Sequence, residues 1–184
     1  MSYPYRIRVS SPLGDILVQG SQTHIMYLKF ESANATLQTD SALLPNWNKA
    51  CRQQLELYFA NEKLSNNRLE DMSFEFDLPI APVGTEFQQR VWKALCEVKY
   101  GSFASYQQLA ITIGNEKSVR AVASANARNP IWLIIPCHRI IGSDNTLRGY
   151  AGGIERKAKL LQLEHHQLDA DSSVFINEKT KILN

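Results

Sequence analysis

Cys137, His138 and Arg139 stand side by side in the stretch "IIPCHRII" (134–141), inside a run of branched apolar residues. Burying that run would carry a thiol, an imidazole and a guanidinium inward. Such a conflict between pattern and polarity is expected mainly at functional sites. A thiol attacks only as the thiolate, and burial opposes ionisation. Cys137 therefore needs a base, and His138 is the nearest candidate. Neighbours on an extended strand point to opposite sides. The two cooperate only if the chain turns tightly after Pro136, with a water between them. The imidazole then needs a carboxylate to hold its tautomer and favour its protonated form. Glu155 and Glu164, at either end of a helix expected over 154–163, are the candidates. Arg139 is suited to fixing the loop through backbone carbonyls. An isolated "CH" pair reads more simply as a core cysteine beside a surface histidine.

The remaining cysteines are read as structural. Cys51 falls at helical spacing with Trp47, Ala50, Gln54, Leu55 and Tyr58, and Cys96 lies just off the apolar stripe of a later helix. An odd number of widely spaced cysteines argues against a disulfide framework. There is no CxxC pair and no HExxH, so neither a metal nor another cofactor is expected. The 184 residues are 44% hydrophobic and 21% charged, an ordinary globular composition. No apolar run approaches the ~20 residues needed to span a bilayer. The N-terminus lacks a signal-peptide apolar region. An intracellular, cytoplasmic protein is expected.

Positioning these residues takes two kinds of element. "YRIRVSS" (5–11), "ILVQGS" (16–21) and "HIMYLKFES" (24–32) read as strands of an antiparallel meander. A polar loop, a helix within 44–61 and a further strand at Met72–Ile80 follow. "PIAPVG" (79–84) marks a boundary. Beyond it the pattern turns helical. Thr85 is the expected N-cap of a helix whose stripe is Phe87, Val91, Ala94, Leu95 and Val98. The expectation is α+β, with domains at 1–80 and 85–166, a linker at 81–84 and a tail at 167–184. The tail is polar apart from Val174-Phe175-Ile176 and suggests no function.

Charge is divided along the same line. The net +2 splits into 7 Lys/Arg against 9 Asp/Glu over 1–80 and 13 against 9 over 81–184; within 87–164 it is 11 against 5. The basic excess surrounds Cys137 and suits a polyanion. Between residues 105 and 126 the pattern is Ser105 as a cap, a helix over Tyr106–Ile113, a turn at Gly114-Asn115-Glu116, and a second helix over Lys117–Asn126. That is a helix-turn-helix pattern. Ser118, Val119, Ala121, Val122, Ala123, Ser124 and Ala125 are all small or short, and Arg120 alone is tall. Close approach to DNA and plain helix packing both explain such a surface. Pro130 then ends the helix, and "IWLIIP" is expected to run extended and buried to Cys137.

The stretch from Phe87 to Glu164 resembles the O6-alkylguanine-DNA alkyltransferases. The resemblance rests on "SYQQLA" (105–110), "RNP" (128–130), "PCHR" (136–139), "YAGG" (150–153) and a glutamate 27 positions after the cysteine. It implies a ribonuclease-H-like α/β domain followed by a mostly helical, winged-helix-like domain. It implies direct-reversal DNA repair: an irreversible, single-turnover transfer of the O6-alkyl group of an extruded guanine to a cysteine, and it leaves activity on O4-alkylthymine open. Cys137 would be the acceptor, His138 the base and Glu164 its partner. Asn129 would bond the turn around the site, with Arg139 structural. Tyr106 would rotate the target phosphate and protonate the leaving purine. Arg120 would fill the gap left by the extruded base. Ser118, Ala121, Ala123, Ser124 and Arg128 would meet the minor groove, while Tyr150, Ala151, Ile140 and Lys157 would line the base pocket. The partner implied is double-stranded DNA bound by a monomer, with no cofactor, metal or membrane.

Two features bear on that likeness. Arg148, before Gly149, stands where other members can carry a small residue, and is expected to narrow access for bulky free bases. No cysteines cluster near the N-terminus, which argues against the family's zinc-binding variants. Three other readings predict different outcomes. A lesion-flagging module would lack the cysteine. A cysteine hydrolase built on Cys137, His138 and Glu164 would turn over and leave Arg120 unexplained. A winged-helix regulator would leave Cys137 unmodified.

Overall fold

A computed structural model describes residues 3–31, 44–64, 74–164, 167–168 and 174–175. Ser32, the polar loop after it, Met72, Ser73 and Ile176 lie outside these residues. The chain divides into two units: residues 1–83 with 130–132, and residues 84–129 with 133–184.

In the first unit the alternating segments form an antiparallel sheet in the order β1 (Tyr5–Val9), β2 (Ile16–Gly20), β3 (Ile25–Phe30). Val9 pairs with Ile16, and Ile16 with Phe30. Ile7, Val9, Ile16, Val18, Ile25, Leu28 and Phe30 are buried, which is why the period-two pattern marks one face. Helix α1 (Asn48–Leu64) buries Cys51, Leu55, Tyr58 and Phe59. Ala50, expected on that face, is exposed.

The strand expected at 72–80 does not form over its described part, 74–80. Residues 74–79 form no ladder, and only Ile80 bridges β3, through Ile25 N to Pro79 O and Ala81 N to Ile25 O, both 2.8 Å. Pro79 and Pro82 have no N–H to extend the pairing. The alternating Phe74 and Phe76 instead pack on Tyr58, with ring centroids 5.5 and 5.4 Å away. Pro130–Trp132 lies along the same unit, with a single parallel bridge between Leu28 and Ile131.

The second unit is mostly helical. Helix α2 (Glu86–Cys96) opens with a capping box between Thr85 and Gln88, and buries Val91, Trp92, Ala94 and Leu95. Cys96 ends the helix and is exposed, a correction to its expected structural place. Strand β4 (Ala104–Ser105) leads into α3 (Tyr106–Thr112), whose capping box joins Ser105 and Gln108. Gly114 turns the chain at φ 72°, a left-handed conformation that glycine adopts without steric cost. A 3₁₀ turn at Glu116–Ser118 precedes α4 (Val119–Ala127). The second helix was expected to begin at Lys117. Ser118 spends its hydroxyl on Asn115 O at 2.6 Å instead of capping, and the first turn tightens.

The approach to Cys137 is buried but not extended. Residues 132–134 form a turn in which Leu133 sits at φ 69°. Cys137–Arg139 is a second 3₁₀ turn, followed by β5 (Ile140–Ile141), which pairs in parallel with β4. Helix α5 (Ile154–Leu163) has the expected bounds. Residues 167–168 (β6) and 174–175 (β7) pair antiparallel. Among the described residues no helix is long and apolar enough to cross a membrane, and no group of three His, Cys, Asp or Glu side chains is placed to hold a metal ion.

Candidate active site

The 3₁₀ turn supplies the bend after Pro136 that an extended strand would deny. Cys137, His138 and Arg139 are all buried in it. Asn129 Nδ2, fully buried just past α4, donates to Ile135 O at 2.7 Å and ties down the approach to the turn. Glu164, at the C-terminal end of α5, meets both polar members of the turn. His138 Nε2 lies 3.0 Å from its Oε1. Arg139 donates from Nε to Oε2 at 2.8 Å and from Nη2 to Oε1 at 2.9 Å. Arg139 also donates to Val98 O at 2.7 Å. The other candidate, Glu155, sits exposed in the first turn of α5.

These contacts assign the imidazole tautomer. Burial pushes the Glu164 carboxyl up, but the Arg139 guanidinium, His138 and the hydrogen bonds of both outweigh it. The carboxyl ends well below the usual range. An ionised carboxylate only accepts, so Nε2 carries the hydrogen. Burial also pulls His138 below its ordinary value, partly offset by Glu164. The ring is then neutral at pH 7 and Nδ1 is its bare lone pair. Nδ1 is buried with no hydrogen-bond partner among the described residues.

Three more groups feel the charge of a Cys137 thiolate. Burial and Cys137 both raise the phenols of Tyr106 and Tyr150, so both stay protonated at pH 7. Burial lowers Lys157 to about 8, with Cys137 pulling it back up. Its ammonium donates to Ile140 O at 2.5 Å and Arg148 O at 2.9 Å. Arg148 itself is exposed and paired with Asp144 at 2.5 Å. That pairing closes a tight loop in which a Cβ on Gly142 would stand 2.3 Å from Asp144 Oδ1. Ala151 is exposed and Ile140 buried.

The structure thus gathers Cys137, His138, Arg139, Asn129, Lys157, Glu164, Tyr106 and Tyr150 into one cluster. Arg120 and Ala121 stand exposed in the first turn of α4, with Ser118 half-buried just before them. Ala123 and Ser124 are half-buried, and Arg128 is exposed and bonded to Ser124. Sequence reasoning passed over Asn126, which is buried on the inner face of α4. Its signal is an amide in the buried row Val122, Ala125, Asn126 of an otherwise small-residue helix.

Comparison with known proteins covers both units. The family signature "6-O-methylguanine DNA methyltransferase, DNA binding domain" matches residues 86–166, and its companion "ribonuclease-like domain" matches residues 5–80. A methylated-DNA–protein-cysteine methyltransferase of Methanosarcina barkeri is 42% identical over 162 residues, 87% of this chain and 96% of the relative. One from Haemophilus influenzae is 40% identical over 168 residues, 89% of this chain and 88% of that one. The crystal structure of Mycobacterium tuberculosis OGT in complex with DNA superposes with a TM-score of 0.72 at 38% identity, covering 85% of this chain and 90% of that one. Matched through both of its units and over most of its length, the chain belongs to the 6-O-methylguanine DNA methyltransferase family.

Proposed function

We propose that the protein repairs alkylated DNA by direct reversal, moving the O6-alkyl group of guanine onto Cys137 once per molecule. The observation that carries this reading is the charge balance around the thiol. Arg139 and Lys157 bring two buried positive charges and Glu164 one negative charge, while His138 is neutral. That surplus of positive charge favours the thiolate of Cys137, and moving the thiol proton to His138 leaves the surplus unchanged. His138 Nδ1, acting through a water, takes the thiol proton, and Glu164 stabilises the imidazolium. The sulfur attacks the alkyl carbon, the C–O6 bond breaks, and its electron pair stays with the purine. Tyr106 then supplies the proton that neutralises the purine.

The alkyl carbon cannot be attacked in line within a stacked duplex, so the base must be extruded. Ser118 just before α4, the small residues Ala121, Ala123 and Ser124 within it, and Arg128 just after it suit the narrow minor groove. Arg120 fills the vacated stack, and Tyr106 rotates the target phosphate. Tyr150, Ala151, Ile140 and Lys157 form the base pocket, with Asn129 and Arg139 holding its turn. The division of labour follows residues 1–80 and 85–166, in a monomer that works on double-stranded DNA in the cytoplasm. O4-alkylthymine fits the same chemistry as a second lesion.

The product is a thioether, and nothing in the site activates water against a C–S bond. Mixing the protein with duplex carrying labelled O6-methylguanine tests the reading. One methyl per molecule on Cys137, found by peptide mass analysis, is expected. Transfer above one equivalent, or label on another residue, overturns it.

A further inference from the structure

Tyr100 lies in the turn between α2 and β4, and the reaction above gives it no task. Ser102 closes that turn on Lys99 O, from its N–H at 3.1 Å and from its hydroxyl at 2.6 Å. Three contacts run from the turn to the network around Glu164. The Tyr100 hydroxyl donates to Leu163 O at 3.0 Å. The Arg139 guanidinium carbon stands 5.8 Å from the centre of the Tyr100 ring, within cation–π range. Val98 O, two residues earlier, accepts from Arg139 Nη1 at 2.7 Å. A Cβ on Gly101 would stand 3.6 Å from Glu164 O, so the turn runs close beside the end of α5. Leu163 is the last residue of α5, and its carbonyl is one of the four that a helix leaves without an internal partner. A phenylalanine would fill the same space and keep its face toward Arg139. The hydroxyl is therefore explained by where it holds α5.

We propose that Tyr100 is a positioning residue for Glu164: its hydroxyl holds the last carbonyl of α5 and its ring faces Arg139, which keeps the carboxylate of the next residue on His138 Nε2. The effect on rate rests on the alkyl-transfer reading. Among the described residues Glu164 is the one buried carboxylate, and it serves two partners. Its Oε1 accepts from His138 Nε2 and Arg139 Nη2, and its Oε2 from Arg139 Nε. A small rotation of the end of α5 turns these bonds out of line together, and a hydrogen bond weakens steeply as its angle closes. An imidazole held through Nε2–H keeps its Nδ1 lone pair bare. Released from the carboxylate, the neutral ring can carry its hydrogen on Nδ1 instead. That nitrogen then has no lone pair with which to accept the thiol proton. Tyr100 thus acts through Glu164 and not on the reacting atoms.

Two measurements test this. The first needs no DNA. Long-range proton–nitrogen NMR on histidine-labelled protein reads which ring nitrogen of His138 carries the hydrogen. The wild type is expected to hold it on Nε2. Tyr100→Phe, which keeps the ring and removes the hydroxyl, is expected to move the ring signals toward the Nδ1–H form, and Tyr100→Leu to move them further. A mere loss of stability would lower the urea midpoint and leave the tautomer of the folded protein where it was. Unmoved ring signals in the Phe variant overturn the proposal, whether or not the Leu variant folds. The second measurement is single-turnover methyl transfer from duplex DNA. Tyr100→Phe is expected to slow it roughly fivefold, the worth of one hydrogen bond of about 1 kcal/mol, with DNA affinity unchanged. Transfer at the wild-type rate overturns the positioning role even if the tautomer moves. Absence of transfer from the wild type overturns the alkyl-transfer reading instead, and the ring nitrogens still judge what Tyr100 holds in place.

Discussion

Cys51 and Cys137 are both buried, in different company. Cys51 shares the inner face of α1 with Leu55 and Tyr58, and burial pushes its thiol up to about 12, with the Arg52 charge offsetting only part. Cys137 lies on a 3₁₀ turn beside a histidine, two cations and a carboxylate. Among the described residues every buried polar side chain belongs to the second unit: Ser102, Asn126, Asn129, His138, Arg139, Lys157 and Glu164. Burial alone makes a thiol inert. Burial together with a fixed polar network puts a neutral imidazole and a surplus of positive charge around the turn that carries the sulfur. The first unit holds its cysteine in an apolar core, and the second holds Cys137 on a turn lined with buried polar groups.

The largest expected effect tests that contrast directly. Cys137→Ala abolishes methyl transfer and keeps DNA affinity, whereas Cys51→Ala transfers at the wild-type rate; a radiolabel transfer assay on methylated duplex reads both. Glu164→Gln comes next. It leaves Arg139 buried without its charge partner, which costs about 3–5 kcal/mol by urea unfolding, and transfer slows as His138 loses its ionised partner.

Stability against pH sharpens the comparison, because the two regions fail at opposite ends. The Cys51 thiol is raised from 9.0 to about 12 on folding. Between those values the unfolded chain has released the proton and the folded one has not. Its contribution is therefore whole below pH 9 and is lost as pH rises toward 12, about 4 kcal/mol in full. Cys51→Ala should remove that decline, while Lys157, lowered from 10.5 to about 8, acts in the other direction. His138 is lowered from 6.5. Below 6.5 the unfolded chain gains a proton that the folded ring resists, so stability is full above 6.5 and falls beneath it. Glu164 adds a second decline below 4.5. Urea midpoints across the pH range would show both limbs, and a flat acid limb would break the assignment of a buried neutral imidazole.

The smallest effect on stability is expected at Arg120. It is exposed, so Arg120→Ala should leave unfolding within about 0.5 kcal/mol of wild type. Transfer on duplex DNA should still slow, because nothing then fills the stack, at a cost of about a few kcal/mol. Equal rates on duplex DNA would remove that role.

Local signals carried much of the fold. Thr85 with Gln88 and Ser105 with Gln108 are capping boxes readable three residues apart, and both cap the helices expected of them. The alternation in 5–30 marked a real sheet face. The same alternation misled at Phe74 and Phe76, because period two states which side is buried, not whether a strand or an aromatic ring covers it. Leu133 gave no warning of its left-handed turn, since a bulky residue takes that conformation only where the surroundings hold it there. A stripe rule placed Phe87 on the inner face of α2 and passed over Trp92, whose ring packs on Gly84 so closely that a Cβ there would stand 2.4 Å away.

By itself the amino-acid order determined which residues could react and which helices would carry them. Caps, periodicity and the neighbourhood of Cys137 and His138 are properties of a few adjacent positions. Tertiary structure alone decided that Glu164 meets Arg139 as well as His138, that Nε2 holds the hydrogen, and that the chain turns at Leu133 on its way to Cys137. Each of those outcomes depends on where distant segments stop and meet. A hydrogen bond has a reach of about 3 Å, far finer than anything a spacing of residues along the chain can specify.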